Sequence, residues 1–109
     1  MANFRSGTVT NTSTTIKSTG ADVLTLNVVN RLAGVILVKF YDSPVATFQD
    51  TPYRTFQVPA STTYTVSGSE RTFPLFSTSN GLSVRVVTDL TDNGNTAAGT
   101  LPIIEIQYN

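Results

Sequence analysis

The most concentrated group of potential ligand atoms lies in a loop near the end of the sequence. Residues 89–95 read Asp-Leu-Thr-Asp-Asn-Gly-Asn and offer two carboxylates and two side-chain amides, whose oxygens suit Ca²⁺. A calcium-binding loop, however, needs oxygen ligands at alternate positions and a bidentate acid at its end, and no Asp or Glu follows until Glu105. The pattern therefore favours ordinary turn chemistry over a metal site.

Three carboxylates in other predicted loops could supply the acid and base pair of a glycosidase: Asp42, Asp50 and Glu70. Such an enzyme needs two carboxyl groups at a fixed distance across the scissile bond. The chain has only seven acids and no conspicuous insertion that would form a cleft. Solvated loop carboxylates are the favoured interpretation, and a small hydrolase that uses only Asp and Glu is a minor alternative.

Arginines and aromatic residues are candidates for binding rather than catalysis. Arg54, Arg71 and Arg85 lie on or beside predicted strands, where arginine can serve a protein interface, although a solvated strand face is the simpler interpretation. Rings in loops or broken strands can stack on sugars, cap the open ends of a sandwich or contribute to an oligomer interface. Alternation does not assign four such rings to the core: Phe48, Tyr53, Phe73 and Phe76.

Composition excludes several classes of function. Seven Lys and Arg balance seven Asp and Glu, and 13% of the residues are charged, about half the average for soluble domains. An electrostatic nucleic-acid binder is therefore excluded. Cys and His are both absent, which removes thiolate and imidazole ligands and the Ser-His and Cys-His nucleophiles. We therefore expect no cofactor, no metal and no enzymatic activity.

The elements that must position these residues are short strands. The 109 residues include 19 Thr and 10 Ser beside many Val, a composition typical of strands and turns. Seven or eight strands at intervals of 8 to 12 residues, without a convincing helix, predict an all-β fold, a compact antiparallel β-sandwich or jelly-roll. The predicted inward positions are Leu24, Leu26, Val28, Ile36, Val38, Phe40, Phe56, Val58, Tyr64, Val66, Leu82, Val84, Val86, Ile104 and Ile106.

The length fits one domain, with the sandwich in residues 21–109. Residues 1–20 are rich in Thr, Ser, Asn and Gly and predict a flexible or partner-ordered arm, or an edge strand. Residues 31–34 are predicted to be a hairpin connection, and residues 71–76 a short edge strand or bulge because Pro74 interrupts them.

No apolar stretch reaches 18 residues and the chain starts without an apolar signal sequence, so we expect synthesis in a cytoplasm and no membrane association.

One predicted strand, residues 35–41, is apolar on both faces. Val35, Leu37 and Tyr41 lie on the face that alternation assigns to the outside, so we expect something other than water to cover that face. Together with the loop aromatics, an arginine and the start of the chain, they make up the candidate interface: Phe4, Arg5, Val35, Leu37, Tyr41, Phe48, Tyr53, Arg54, Phe73 and Phe76.

The succession of strand ends resembles that of one class of proteins. A Leu/Val strand ending at residues 29–30 is followed by residues 38–42 (Val-Lys-Phe-Tyr-Asp), 56–60 (Phe-Gln-Val-Pro-Ala), 79–84 (Ser-Asn-Gly-Leu-Ser-Val) and a terminal alternating strand. This pattern, over about residues 20–108, resembles small virion-associated proteins of tailed bacteriophages, some of which are capsid cement or decoration proteins. The resemblance implies a β-sandwich or jelly-roll that binds the outside of an icosahedral shell, commonly as a trimer, and rivets neighbouring major capsid proteins.

The sequence thus leads to the expectation of a structural virion protein that stabilises the shell through multivalent protein contacts. Its partner would be the major capsid protein or another virion protein, with neither nucleic acid nor membrane involved. Low net charge limits repulsion between copies, and strand edges can pair with neighbours. The alternative is a carbohydrate- or receptor-binding module of a phage tail or fibre, in which the loop aromatics would stack on sugars.

Overall fold

The fold is an all-β sandwich of two antiparallel sheets, as the sequence predicts. The computed structural model describes residues 1–68 and 74–109. Nine strands occur in these residues: β1 (Ala2–Ser6), β2 (Thr14–Lys17), β3 (Asp22–Val29), β4 (Ile36–Tyr41), β5 (Arg54–Val58), β6 (Thr63–Ser67), β7 (Phe76–Ser77), β8 (Leu82–Val87) and β9 (Ile103–Tyr108). The first sheet has the order β1-β9-β3-β6, with β7 also pairing with β3, and the second has the order β2-β8-β4-β5. The described residues contain no helix that is long and apolar enough to cross a bilayer.

The first twenty residues form one edge of each sheet. In β1, Phe4 lies opposite Ile106 and Arg5 opposite Glu105 of β9, and β2 pairs with β8. Between these strands, Val9 is fully buried in the core. The segment is therefore paired with strands of its own chain, at one edge of each sheet.

The hairpin predicted at residues 31–34 is wrong. This segment joins β3 of the first sheet to β4 of the second, so the chain crosses the sandwich instead of turning back beside itself. Alternation in the flanking strands reports which face of each strand is apolar, but it does not report which sheet the next strand joins.

Asn30 holds this crossing in place from a buried position. Its side-chain amide donates to the carbonyl oxygens of Gly34 (3.0 Å) and Pro59 (2.9 Å). Its Oδ1 accepts from the backbone N–H of Leu32 (3.0 Å), and its own backbone N–H donates to the carbonyl of Thr62 (2.9 Å). One side chain therefore ties the β3–β4 crossing to the β5–β6 connection.

Most of the predicted inward positions are buried, and the exceptions have physical causes. Leu24 is half-buried while Val23 is fully buried, because the pairing of β3 with β9 shifts register between Val23 and Thr25 and a bulge reverses the alternation. Tyr64 and Val66 are half-buried, since β6 is the last of the described strands on its side of the sheet and has fewer neighbours to cover its side chains.

Aromatic rings fill the end of the core beside β5. Phe76 lies 5.2 Å from Phe40 and 6.1 Å from Phe56 between ring centroids, and it is 6% exposed. Although alternation leaves Phe76 outside the core, the structure places it inside, where β7 pairs with the start of β3. The predicted strand at 71–76 is described only from Pro74, and Glu70, Arg71 and Phe73 lie outside the described residues.

Candidate functional site

The outer face of the second sheet carries two buried cations. Lys39 of β4 and Arg85 of β8 lie directly opposite each other in register, and they are 1% and 0% exposed. Neither forms a salt bridge within residues 1–68 and 74–109, where the single ion pair joins Arg5 to Glu105 on the other sheet. The simpler sequence interpretation for Arg85, a solvated strand face, is therefore wrong.

Neutral groups of the chain satisfy the Arg85 guanidinium. It donates to the hydroxyl of Tyr41 (2.8 Å), the backbone carbonyl of Asn11 (2.7 Å) and Oδ1 of Asn95 (2.5 Å). Its central carbon also lies 5.9 Å from the centroid of the Tyr41 ring. Arg85 thus connects β4, the segment after β1 and the loop after β8, and it holds all three in one arrangement.

The Lys39 ammonium is held by the same loop. Its Nζ donates to the backbone carbonyls of Thr91 (2.6 Å) and Asp92 (3.1 Å). Burial, followed by repulsion from Arg85, lowers the pKa of Lys39, and the nearby carboxylates of Asp92 and Asp89 partly oppose that shift. The cations of the second sheet therefore bond to oxygens of the 89–95 loop, namely the backbone carbonyls of Thr91 and Asp92 and the side-chain oxygen of Asn95.

Side chains and backbone groups of the 89–95 loop bond to one another as in an ordinary turn. Asp89 Oδ2 accepts from the backbone N–H of Thr96 (2.7 Å), and the N–H of Gly94 donates to the carbonyl of Thr91 (3.0 Å). In the part of the chain that the structure describes, no three acidic, His or Cys side chains are grouped to hold a metal ion. The loop acts as a cover for the buried cations.

Asp89 should make the stability of the protein sensitive to acid. Hydrogen bonds from the side chain and backbone of Thr96 lower the pKa of Asp89, and the charge of Lys39 contributes in the same direction. Because the folded pKa lies below the unfolded value of about 4, the carboxylate stabilises the fold above that value. This contribution is lost as the pH falls through the folded pKa.

Thermal unfolding of Asp89→Asn between pH 7 and pH 2.5 tests this expectation. We expect a lower melting temperature than wild type at pH 7, and a difference that shrinks below about pH 4. Asp92→Asn is the control for charge alone, because it keeps the backbone carbonyl that Lys39 contacts. A difference between Asp89→Asn and wild type that stays constant across this range would contradict the assignment.

Two adjoining grooves border residues 42–53, which connect β4 to β5. The larger groove has a volume of about 490 Å³ and is lined by Tyr41, Asp42, Ser43, Ala46, Asp50, Thr51, Pro52 and Tyr53. The smaller groove has a volume of about 270 Å³ and is lined by Asn11, Thr12, Ser13, Ala46, Thr47, Phe48, Arg85 and Asn95. The structure thus brings Asp42 and Asp50 to one groove, while Glu70 lies outside the described residues.

The segment between the grooves is anchored at several points along its length. Asp42 Oδ1 accepts from the backbone N–H groups of Ser79 (2.9 Å) and Asn80 (2.7 Å). The carbonyl of Pro44 accepts from the Thr15 hydroxyl (2.5 Å). At Gly81 a Cβ atom would lie 2.4 Å from the nitrogen of Pro44, so only glycine permits this close approach.

Three apolar side chains of this segment point into solvent. Val45, Phe48 and Tyr53 are 67%, 40% and 49% exposed, and we call residues 42–53 with these side chains the 42–53 surface. Apolar side chains exposed on a segment held by hydrogen bonds are suited to binding, because little ordering entropy would be lost. The sequence pattern does not single out Val45 as a candidate interface residue, because one valine in an irregular stretch carries no periodic signal.

The structure separates the other members of the candidate interface. Leu37 and Tyr41 are 4% and 2% exposed in the single chain, so the chain itself covers the face that we expected something other than water to cover. These two residues, like Phe76, are therefore not available to a partner. Partly or well exposed positions remain at Phe4, Arg5, Val35, Phe48, Tyr53 and Arg54.

The 42–53 surface and its grooves are the best candidate for a functional site. They combine exposed apolar side chains, concave shape and two carboxylates on a backbone held by hydrogen bonds. No known protein family, curated protein or solved structure matches the chain. The function must therefore be inferred from the chemistry of this surface.

Proposed function

We propose that this protein is a structural, non-enzymatic component of a bacteriophage particle, which acts as a capsid cement or decoration protein. The observation that carries the proposal is the 42–53 surface, where Val45, Phe48 and Tyr53 are exposed on an anchored segment. Binding through such a segment costs little ordering entropy. Exposed aromatic side chains are also the usual anchors of protein interfaces. The order of strand ends in the sequence supports the same class of protein.

The scaffold suits repeated contacts on a lattice. The formal net charge is zero, so many copies can lie close together without strong mutual repulsion. In the described residues, β1 and β5 each pair on one side only, which leaves backbone groups for strand addition by a neighbour. Several weak contacts acting together would give high avidity. The proposed partner is the major capsid protein or another virion protein, with the protein itself assembled as a trimer.

Replacing Phe48 and Tyr53 together by serine should weaken binding to phage heads. Wild-type protein is expected to sediment as an oligomer alone and to co-sediment with assembled heads of the phage that encodes it. The double variant should need at least about tenfold more protein for half-saturation, because interface aromatics contribute strongly to binding.

Leu90→Ser is the matched control for this experiment. Leu90 is 72% exposed and lies outside the 42–53 surface, so its loss should leave co-sedimentation unchanged. Urea unfolding of each variant separates loss of binding from loss of folding. A monomeric wild-type protein that does not sediment with heads would contradict the proposal, and equal binding by the double variant would exclude this surface.

A second candidate function is a carbohydrate- or receptor-binding module of a tail or fibre. The larger groove favours it, since the exposed ring of Tyr53 borders a concave space that two carboxylates also line. Aromatic rings can stack on sugars, and carboxylates can accept hydrogen bonds from sugar hydroxyls. Saturable binding on a glycan array that disappears in Tyr53→Ala would support this function, and an array without signal would exclude it.

A further inference from the structure

We propose that the larger groove receives an arginine side chain of a neighbouring polypeptide. This inference rests on the proposed function, because it specifies the chemistry of the protein partner that the 42–53 surface binds. The groove of about 490 Å³ is lined by the exposed ring of Tyr53, by Ala46 and Pro52, and by the carboxylates of Asp42 and Asp50. It therefore combines an apolar space with negative charge.

The carboxylates of the groove are fixed in position and keep oxygens available for a ligand. Asp42 uses Oδ1 to accept from the backbone N–H groups of Ser79 and Asn80. Asp50 uses Oδ2 to accept from the backbone N–H of Thr47 (2.8 Å). The other oxygen of each carboxylate has no hydrogen-bond partner among the described residues. Because backbone donors hold both groups, a cation would bind without first ordering flexible acids.

Charge complementarity selects a cation as the occupant. The lining of the larger groove contains two acids and no Lys or Arg, and neither acid forms a salt bridge within the described part of the chain. A bound guanidinium would supply donors to the available oxygens, and charge-assisted hydrogen bonds are stronger than neutral ones.

The apolar walls favour arginine in particular. A planar guanidinium stacks on aromatic faces and donates through a fork of N–H groups, whereas lysine carries a compact and strongly hydrated charge. The methylene stem of arginine would lie along Ala46 and Pro52, which line the same groove. Arg85 combines the same two kinds of contact within this chain, because its guanidinium lies near the Tyr41 ring and also donates a hydrogen bond to the Tyr41 hydroxyl.

An NMR titration of the full chain with acetyl-arginine amide tests the inference, and acetyl-citrulline amide serves as the neutral probe of the same shape. We expect saturable shifts of backbone amides in residues 42–53 with the arginine probe and none with citrulline. In Asp50→Asn, which keeps an acceptor for the N–H of Thr47, the dissociation constant should rise about threefold. Glu105→Gln, on the outer face of the other sheet, removes the same charge and should leave the constant unchanged.

Each result of the titration either supports the arginine inference or overturns it. Equal binding of the citrulline probe, an unchanged constant in Asp50→Asn, or the absence of saturable shifts in residues 42–53 would overturn the inference. Saturable binding of a neutral sugar in the groove, without binding of arginine, would overturn it in favour of the carbohydrate module. If Asp50→Asn does not fold, Asp42→Asn provides the same test. Failure of the arginine probe while wild-type protein still co-sediments with phage heads would overturn this inference alone.

Discussion

Replacement of Arg85 by methionine is expected to lower the free energy of unfolding by about 3 kcal/mol, although it removes a buried charge. The substitution deletes the donors that satisfy the Tyr41 hydroxyl, the Asn11 carbonyl and the Asn95 side chain. The Tyr41 hydroxyl is buried beside Arg85, so it retains its desolvation cost when it loses this donor, whereas Asn11 is half-buried and Asn95 is exposed. The loop after β8 and the segment after β1 also lose their shared anchor.

Lys39→Met is the matched control for this prediction, because it removes the same charge from the position opposite Arg85. The groups that Lys39 contacts are backbone carbonyls of the exposed residues Thr91 and Asp92, which water can reach. Since burial lowers the pKa of Lys39, folding disfavours its ammonium, and loss of that charge removes an unfavourable contribution. We expect a change within about 1 kcal/mol, in either direction.

Urea unfolding of the two variants, followed by circular dichroism, makes the comparison. A loss in Arg85→Met several times larger than in Lys39→Met would show that hydrogen bonds, and not charge, give Arg85 its role. Equal losses in the two variants would contradict this account of the buried cations.

Replacement of Asn30 by alanine is expected to lower the free energy of unfolding by about 2 kcal/mol. The side chain bridges two connections between the sheets, and its loss leaves the carbonyl of Pro59 and the N–H of Leu32 without their partner. Asn30→Asp keeps the shape but removes the amide donors and buries a negative charge, so it should destabilise at least as much.

Asn27→Ala provides the control for the Asn30 prediction. Asn27 lies on β3 as well, but its side chain accepts a hydrogen bond from Thr65 at an exposed position (2.8 Å), and we expect a change of less than about 0.5 kcal/mol. Urea midpoints for the three variants give the comparison. If Asn27→Ala lowers the free energy of unfolding as much as Asn30→Ala does, the hydrogen bonds of Asn30 between the two connections add no stability of their own.

Periodicity in the sequence was sufficient to predict the fold class, because alternation directly reflects one buried face per strand. It identified β4 and β8 through runs such as Ile36 to Phe40 and Leu82 to Val86, all of whose inward positions are buried. It failed at Val23, where a register shift exchanges the two faces. It also failed at residues 31–34, because alternation does not report which sheet the next strand joins.

The candidate site was harder to predict, because the contacts that anchor residues 42–53 come from separate stretches of chain. Phe48 and Tyr53 could be singled out as rings in irregular segments, and both are exposed. The burial of Arg85 could not be predicted, since its partners Asn11, Tyr41 and Asn95 lie up to 74 residues away. Likewise, Asp42 accepts hydrogen bonds from the backbone N–H groups of Ser79 and Asn80, and no local pattern reveals these distant partners.

Electron microscopy of phage particles assembled with and without this protein tests the proposed function most directly. We predict repeated additional density on the outside of the shell in particles that contain the protein, with the 42–53 surface facing the major capsid protein. Particles whose density is identical in the two preparations, with the protein absent from both, would contradict it.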